Sequence, residues 1–228
     1  MAKPLFSIVM PVLNEDERIH AALMRLQALR DAGVEVIVVD GGSHDETVAL
    51  ATPLADQVIT AMPGRGAQMN AGAAQAQGRF LLFLHADTEL PANIAQWLGL
   101  LTDKDPAWGY CTVRLSGNAK PLRVVEWCMN ARSRITRMPT GDQMQFVRAD
   151  VFRFIGGFAD IPLMEDIHLA KRLRWKHPPF RIESPVVTSS RRWEQHGMVR
   201  TVLLMWWLRL QYAFGVSPYK LARQYRGS

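Results

Sequence analysis

Residues 79–91 read Arg-Phe-Leu-Leu-Phe-Leu-His-Ala-Asp-Thr-Glu-Leu-Pro, and this stretch decides the predicted fold. The apolar run from Phe80 to Leu84 is typical of a strand buried on both faces. His85 and Asp87 follow at once, and a carboxylate at the end of a core strand needs a partner because its burial is unfavourable. Open α/β sheets bind ligands at the carboxyl ends of their strands. Asp87 is therefore predicted either to hold a divalent cation that binds a diphosphate, or to cap a helix over residues 93–101.

The rest of the chain alternates between apolar strands and amphipathic helices. Strands are predicted at 6–12, 34–39, 58–59, 80–84, 110–113 and 186–187, and helices at 19–32, 67–76, 93–101, 122–134, 165–174, 198–214 and after 217. Ser43 and Glu46 form a capping-box pattern at the start of a further helix. Closely spaced βαβ units predict an α/β fold, with a mainly parallel central sheet and helices on both faces.

Composition sets bounds on the class of protein. A chain of 228 residues suffices for one domain, with or without an appendage. The net charge of +6 favours acidic partners such as nucleoside diphosphates, anionic lipid headgroups or nucleic acid. Cys111 and Cys128 provide no disulfide framework or zinc motif, which favours a reducing cytoplasm. No signal peptide or bilayer-spanning run of about 20 apolar residues is visible, so a cytoplasmic protein is expected, with membrane association left open.

Acidic residues recur where predicted strands end. Asn14-Glu15 follows the first strand, Asp40 ends the second, and Asp87 follows the fourth. Neighbouring strands lie about 4.8 Å apart, so these side chains are expected to converge on one crevice. Arg65, in a glycine-flanked loop at the same edge, is either a bidentate phosphate ligand or a solvated cation. The alternative interpretation of Asp40 is that it caps the turn that follows it.

Several motifs occur together in a specific order. They are Pro11-Val12-Leu13-Asn14-Glu15, Val38-Val39-Asp40-Gly41-Gly42-Ser43-His44-Asp45-Glu46-Thr47, Arg65-Gly66, Asn70-x-Gly72, Ala76-x-Gly78, the strand to Asp87, Gly156-Gly157-Phe158 and Glu165-Asp166. Over about the first three quarters of the chain this order resembles the inverting glycosyltransferases of family 2, with the GT-A fold. The elements Gly141-Asp142-Gln143, Met164-Glu165-Asp166 and Arg191-Arg192-Trp193 resemble a small bacterial subgroup of poorly defined substrate.

The resemblance implies transfer of a sugar from a nucleoside-diphosphate sugar, not binding of nucleic acid. It implies Asp166 as the catalytic base with Glu165 orienting it or the acceptor, and Mg²⁺ or Mn²⁺ held by Asp87 and His85. The residues expected to bind the nucleotide-sugar are Pro11, Asn14, Glu15, Asp40, Arg65, Asn70, Asp142, Gln143, Arg192 and Trp193. The acceptor stays open, with a lipid-linked molecule among the candidates.

One glycosyltransferase domain over 1–228 is expected, comprising a nucleotide-binding half (1–116), an acceptor half (117–197) and a C-terminal helical appendage (198–228). The Trp-rich helix at 198–214 has two interpretations. Its Trp206, Trp207 and flanking arginines suit a membrane interface. Apolar residues cover most of its circumference, however, which favours packing against the domain or a homodimer.

Two departures from the family pattern leave alternatives open. Gly41 stands where a second acid usually follows Asp40, so the nucleotide base is not defined. His85 stands where the metal motif normally opens with Asp; it is predicted to bind metal, to hydrogen-bond the ribose or to fill space. A catalytically weak or inactive nucleotide-sugar-binding relative is thus the alternative. A phosphohydrolase is less favoured, since Gly42 replaces the second acid of that motif, and no Gly-x-Gly-x-x-Gly motif supports a dehydrogenase.

Overall fold

A computed structural model describes residues 3–191 and 197–226. Within them, eight strands form one sheet. They are β1 (Phe6–Val12), β2 (Glu35–Asp40), β3 (Gln57–Thr60), β4 (Phe80–Phe83), β5 (Thr88–Glu89), β6 (Trp108–Leu115), β7 (Gln145–Arg148) and β8 (Phe180–Thr188). Their order in the sheet is β3-β2-β1-β4-β7-β6-β8-β5.

The sheet is mostly parallel, as predicted. Strands β3, β2, β1 and β4 are mutually parallel, and β6 is parallel to β8. Strand β7 lies antiparallel between β4 and β6, and β5 is antiparallel to β8. Because β7 lies between strands from residues 1–116, the two predicted halves of the chain share one continuous sheet.

Ten α-helices surround the sheet within the described ranges. They are α1 (Asp16–Met24), α2 (Gln27–Asp31), α3 (Thr47–Ala51), α4 (Arg65–Gln75), α5 (Ile94–Lys104), α6 (Lys120–Thr136), α7 (Ala149–Phe154), α8 (Glu165–Leu173), α9 (Met198–Ala213) and α10 (Pro218–Arg226). Successive side chains of a strand point to opposite faces of the sheet, and helices cover both faces. Ile8 therefore packs into a core with Ile19 of α1, whereas Val9 packs into a second core with Met69 of α4. The predicted α/β class is confirmed.

The structure corrects several predicted boundaries. The helix predicted at 19–32 is two helices, α1 and α2, and the strand predicted at 186–187 is the nine-residue β8. Helix α4 begins at Arg65, two residues before its predicted start. The sequence did not predict β7, because its residues show neither a long apolar run nor a clear alternation of apolar and polar positions.

The predicted capping box of Ser43 and Glu46 is wrong. The Ser43 hydroxyl donates to Asp40 instead, and Glu46 precedes α3 without a side-chain cap. A capping box does occur at a short 3₁₀ turn, where Thr140 and Gln143 exchange hydrogen bonds with each other's backbone.

The C-terminal helices pack against the main domain on one side. Leu208 of α9 and Leu221 of α10 are buried against Met164 and Ile167 of α8. The opposite side of α9 exposes large apolar side chains, among them Trp206 and Trp207. Of the helices in the described ranges, none combines the length and the apolar character that crossing a membrane requires.

Candidate functional site

A cavity of about 460 Å³ opens at the edge of the sheet where β1, β2 and β4 end. Seven residues predicted to act in the site line it: Glu15, Arg65, His85, Asp87, Asp142, Glu165 and Asp166. The strand ends supply Glu15, His85 and Asp87, as the parallel topology predicts. The N-terminus of α8 supplies Glu165 and Asp166, which brings both predicted halves of the chain to one cavity.

Asp166 is held by backbone N–H groups on both carboxylate oxygens. Gly141 N donates to Oδ2 at 2.7 Å, and Ile167 N donates to Oδ1 at 2.6 Å. Burial raises the pKa of Asp166, and these two hydrogen bonds oppose that rise. The result is a carboxylate with fixed orientation and increased basicity, which are the properties of a general base.

Glu165 is only 5% exposed at the first position of α8. Burial, together with the negative charge of Asp166, raises the pKa of Glu165 to about 7, although Arg65 acts in the opposite direction. Burial raises the pKa of both adjacent carboxyl groups, so each influences the protonation of the other.

His85 is a neutral imidazole in this cavity. Burial and the positive charge of Arg65 lower the pKa of His85 to about 4. Its Nδ1 lies 3.8 Å from Asp142 Oδ1. A Cβ added to Gly141 would lie 2.8 Å from the His85 Cε1, so the ring occupies space that only glycine leaves open. A neutral imidazole keeps one nitrogen lone pair, which is available to accept a hydrogen bond or to bind a metal ion.

Asp87 and His85 together are suited to bind a divalent cation whose other coordination positions are filled by a bound ligand. Asp87 is exposed, so its carboxylate is accessible from the cavity, and the uncharged His85 ring is able to coordinate. In the part of the chain that the structure describes, no group of three His, Cys, Asp or Glu side chains encloses a metal site by itself. Mg²⁺ is commonly bound by one or two carboxylates, with the remaining positions filled by water and substrate phosphates. Asp87 fits that arrangement, and the neutral His85 nitrogen is a further donor of a type that suits transition metals better than Mg²⁺.

Cationic side chains also line the cavity. Besides Arg65, they are Arg18, Arg132, Arg191 and Arg209. Arg18 is bound to Glu15 through a 3.0 Å ion pair. Arg132 lies close enough to Asp142 and Asp166 to interact electrostatically, while burial lowers its pKa. The sequence analysis did not single out Arg132; its signal was its place in the basic helix predicted at 122–134.

Five predicted nucleotide-sugar ligands within the described residues do not line the cavity. Both oxygens of Asp40 accept hydrogen bonds from the turn at Gly42 and Ser43. Asn70 binds the backbone N–H and C=O of Phe158, at 2.9 Å each. Pro11 lies within β1 beside Val39 of β2.

Gln143 is the fourth and is fully buried. Its Oε1 accepts from the Ser133 hydroxyl, and its Nε2 donates to Cys111 O. Asn14 is the fifth and is exposed; its Oδ1 accepts from His44 N. Arg192 and Trp193 lie outside the described residues.

Comparisons with known proteins show which family the sequence matches. Residues 7–159 match the family model described as "Glycosyl transferase family 2". The chain belongs to this family. The resemblance in the motif order is therefore confirmed. The family model covers the strand ends of the site and the turns at Gly41-Gly42 and Gly156-Gly157.

Two curated relatives show how far the likeness extends. A "PGL/p-HBAD biosynthesis glycosyltransferase" of Mycobacterium bovis is 33% identical over 126 residues, covering 50% of this chain and 49% of the relative. An uncharacterized glycosyltransferase of Rickettsia prowazekii is 30% identical over 106 residues, covering 45% of this chain and 33% of that protein. The chain thus spans about half or less of the length of these relatives.

Solved structures of other glycosyltransferases share the fold. A mannosyltransferase from Pyrobaculum calidifontis, in complex with GDP-Man and Mn²⁺, superposes with a TM-score of 0.63 at 22% identity, covering 83% of this chain and 57% of that one. Glucosyl-3-phosphoglycerate synthase from Mycobacterium tuberculosis, with Mn²⁺, UDP-Glc and phosphoglyceric acid, gives 0.64 at 21% identity, covering 89% and 78%. The GT-A fold prediction is confirmed.

Proposed function

We propose that this family 2 protein transfers a sugar from a nucleoside-diphosphate sugar to an acceptor, with inversion at the anomeric carbon and dependence on Mg²⁺ or Mn²⁺. The observation that carries the proposal is that Asp166, with both oxygens fixed by backbone N–H groups, lines the same cavity as Asp87. A base and a cation ligand from opposite halves of the chain thus meet across one space.

Inversion follows from a single displacement. An acceptor hydroxyl oxygen attacks the anomeric carbon, the bond from that carbon to the diphosphate oxygen breaks, and the diphosphate leaves with the electron pair. Asp166 takes the hydroxyl proton, which its raised pKa favours. Glu165, with its pKa near neutrality, holds Asp166 in a common network and positions the acceptor.

Negative charge builds on the leaving diphosphate, and the cavity supplies groups that stabilise it. Asp87 and His85 would hold a divalent cation, which neutralises phosphate oxygens when bound. Arg65 faces Glu165 and Asp142 across the cavity, and their charges raise its pKa against the lowering effect of desolvation. A permanently charged guanidinium suits a bidentate contact with a phosphate. Glu15, at the end of β1, is then placed for the nucleoside.

The structural neighbours support a nucleotide-sugar donor, because their complexes contain GDP-Man and UDP-Glc. Gly41 offers no carboxylate to a base, so the identity of the nucleotide is a matter for experiment. We assign donor binding mainly to residues 1–116 and the acceptor to residues 117–197, in a cytoplasmic protein that acts on no nucleic acid.

Donor hydrolysis tests the proposal without knowledge of the acceptor. A panel of UDP-, GDP- and dTDP-sugars is incubated with the protein and Mn²⁺ or Mg²⁺, and nucleoside diphosphate release is measured. We expect slow, metal-dependent release from one donor. Asp166→Asn is expected to abolish transfer but to retain nucleotide binding, whereas Asp160→Asn, exposed and outside the cavity, serves as the matched control.

The alternative is a binding protein without turnover, which His85 in place of an acid favours. Metal-dependent nucleotide binding without hydrolysis or transfer would establish that alternative. A phosphohydrolase is disfavoured, because Asp40, its only nucleophile candidate from the sequence, is 3% exposed and engaged in its own turn.

A further inference from the structure

The cavity has an apolar part that the chemistry of a nucleotide-sugar does not use. Helices α6 and α9 form it from opposite sides, and we call it the apolar limb. Its lining residues are Val124, Val125, Cys128 and Met129 of α6 and Val202, Met205, Trp206 and Leu208 of α9. The phosphates and the sugar hydroxyls need polar partners, which these side chains do not supply, so this surface suits an apolar ligand group.

The apolar limb leads away from the carboxylates. Arg132, near the C-terminal end of α6, interacts with Asp166. Val124 lies eight residues earlier, which is about 12 Å further along the helix axis. Helix α9 follows the same direction: its first turns pack on Val125, and Leu208 packs on Ile167 beside the acids.

The limb opens between two exposed side chains. Val124 is 63% exposed and Trp206 is 62% exposed, although both line the cavity. Trp127 on α6 and Trp207 on α9 are also exposed, at 71% and 57%, so both helices carry further apolar surface. Apolar side chains that line the same cavity as the active-site acids and are partly open to solvent indicate a ligand with an apolar chain.

Positive charge surrounds the polar end of the limb. Arg132, Arg191 and Arg209 line the cavity there, and α9 and α10 contain no acidic residue in their sequence. Within the described residues, the Nε of Arg132 is buried without a hydrogen-bond partner. These features complement an anionic head group attached to an apolar chain.

We infer that the acceptor is an amphipathic lipid whose head carries a negative charge and the hydroxyl group that attacks the sugar. The head reaches Asp166 among the arginines, and the chain lies in the apolar limb and leaves between Val124 and Trp206. This inference rests on the proposed transferase function for the role of the head, but the lipid site itself is testable without turnover.

Cys128 provides the measurement, because it lines the limb and is partly exposed. The other thiol, Cys111, is fully buried, and burial raises its pKa, so it does not compete for a thiol reagent. Alkylation of Cys128 by N-ethylmaleimide is followed by mass spectrometry, with decyl phosphate below its micelle concentration or inorganic phosphate alone. We expect decyl phosphate to slow alkylation about fivefold or more, and phosphate to have no effect.

Matched variants separate a chain in the limb from adsorption to the surface. Trp206→Ser is expected to weaken protection by decyl phosphate, and Trp207→Ser, equally exposed but outside the cavity, to leave it unchanged. Val124→Trp should block protection, whereas Ile135→Trp, also exposed on α6, should not. All four positions are at the surface, and thermal melting confirms that each variant is folded.

The outcomes are distinct. Absence of protection, protection by phosphate alone, or equal effects of Trp206→Ser and Trp207→Ser would overturn the lipid site. Donor hydrolysis is measured in the same preparations. Hydrolysis without protection overturns the lipid inference alone, and protection without donor binding overturns the proposed transferase function while the lipid site stands.

Discussion

Gly141 and Asp166 are joined by a 2.7 Å hydrogen bond from the glycine N–H to the carboxylate Oδ2. The same glycine lies against the ring of His85, with space for no Cβ. One backbone position thus sets both the orientation of the proposed base and the location of the proposed cation ligand. The acceptor and donor sides of the site are coupled through it.

Gly141→Ala tests this coupling. The added Cβ would lie 2.8 Å from the His85 Cε1, so the ring or the turn has to move. A displacement near 1 Å in such a site lowers kcat on the order of 100-fold. We expect this loss in donor hydrolysis, with a smaller change in KM for the donor.

The matched control is Gly99→Ala, because Gly99 lies exposed within α5 and has nothing within 4 Å of an added Cβ. This variant should gain about 0.5–1 kcal/mol of stability from the better helix propensity of alanine and keep full activity. Equal rates for Gly141→Ala and the wild type would show that the turn does not position the reacting groups.

Asp87→Asn tests the cation. Of the two residues proposed to hold the cation, Asp87 carries the negative charge, and its loss removes the charge that attracts Mg²⁺ or Mn²⁺. We expect the metal-dependent part of UDP or GDP binding to weaken about tenfold or more in calorimetry, with metal-free binding little changed. Asp103→Asn, on the exposed side of α5, is the control. Unchanged metal dependence in Asp87→Asn would remove Asp87 from the cation site.

The sequence predicted the strand ends well and the buried polar residues poorly. Glu15, His85 and Asp87 reach the cavity because parallel strands end at one edge of the sheet. The alternation of strands and helices along the sequence is enough to predict this. The positions of Arg132 and of the apolar limb follow from how α6 and α9 pack against each other. The periodicity of a helix predicts its apolar face but not the partner of that face.

Gln143 shows that a residue within a motif can hold a turn without lining the cavity. It belongs to the Gly141-Asp142-Gln143 element, yet its side chain closes a capping box with Thr140 and bonds to Cys111 O. The Thr-x-x-Gln spacing was visible in the sequence and is a capping signal. Motifs around an active site therefore contain residues that contact ligand and residues that hold the turn, and hydrogen-bond partners separate them.

Asn70 offers a test of that distinction. Its amide makes two 2.9 Å hydrogen bonds to the backbone of Phe158, which fixes the turn after Gly157 against α4. Asn70→Ala should lower the free energy of unfolding by about 1–3 kcal/mol, since each bond contributes about 0.5–1.5 kcal/mol. Nucleoside diphosphate affinity should stay unchanged. Weaker nucleotide binding at unchanged stability would restore the role predicted from the sequence. Asn93→Ala, which loses only an exposed bond to Ser184, is the control.

Glu165 should reduce the stability of the free protein above neutral pH. Its pKa is raised to about 7 from the model-compound value of 4.5, so the folded protein binds this proton more tightly than the unfolded chain. Stability contributed by the protonated carboxyl is fully present below pH 4.5 and is lost as the pH rises through 7. A shift of this size corresponds to about 3 kcal/mol.

Glu165→Gln removes this pH dependence. The variant should match the wild type in urea unfolding at pH 5 and exceed its stability by about 2–3 kcal/mol at pH 8, while acceptor transfer falls. Glu183→Gln, exposed and outside the cavity, should show no such divergence. If Glu165→Gln and the wild type lose stability in parallel between pH 5 and 8, Glu165 titrates as an ordinary carboxyl, and its burial beside Asp166 does not raise its pKa.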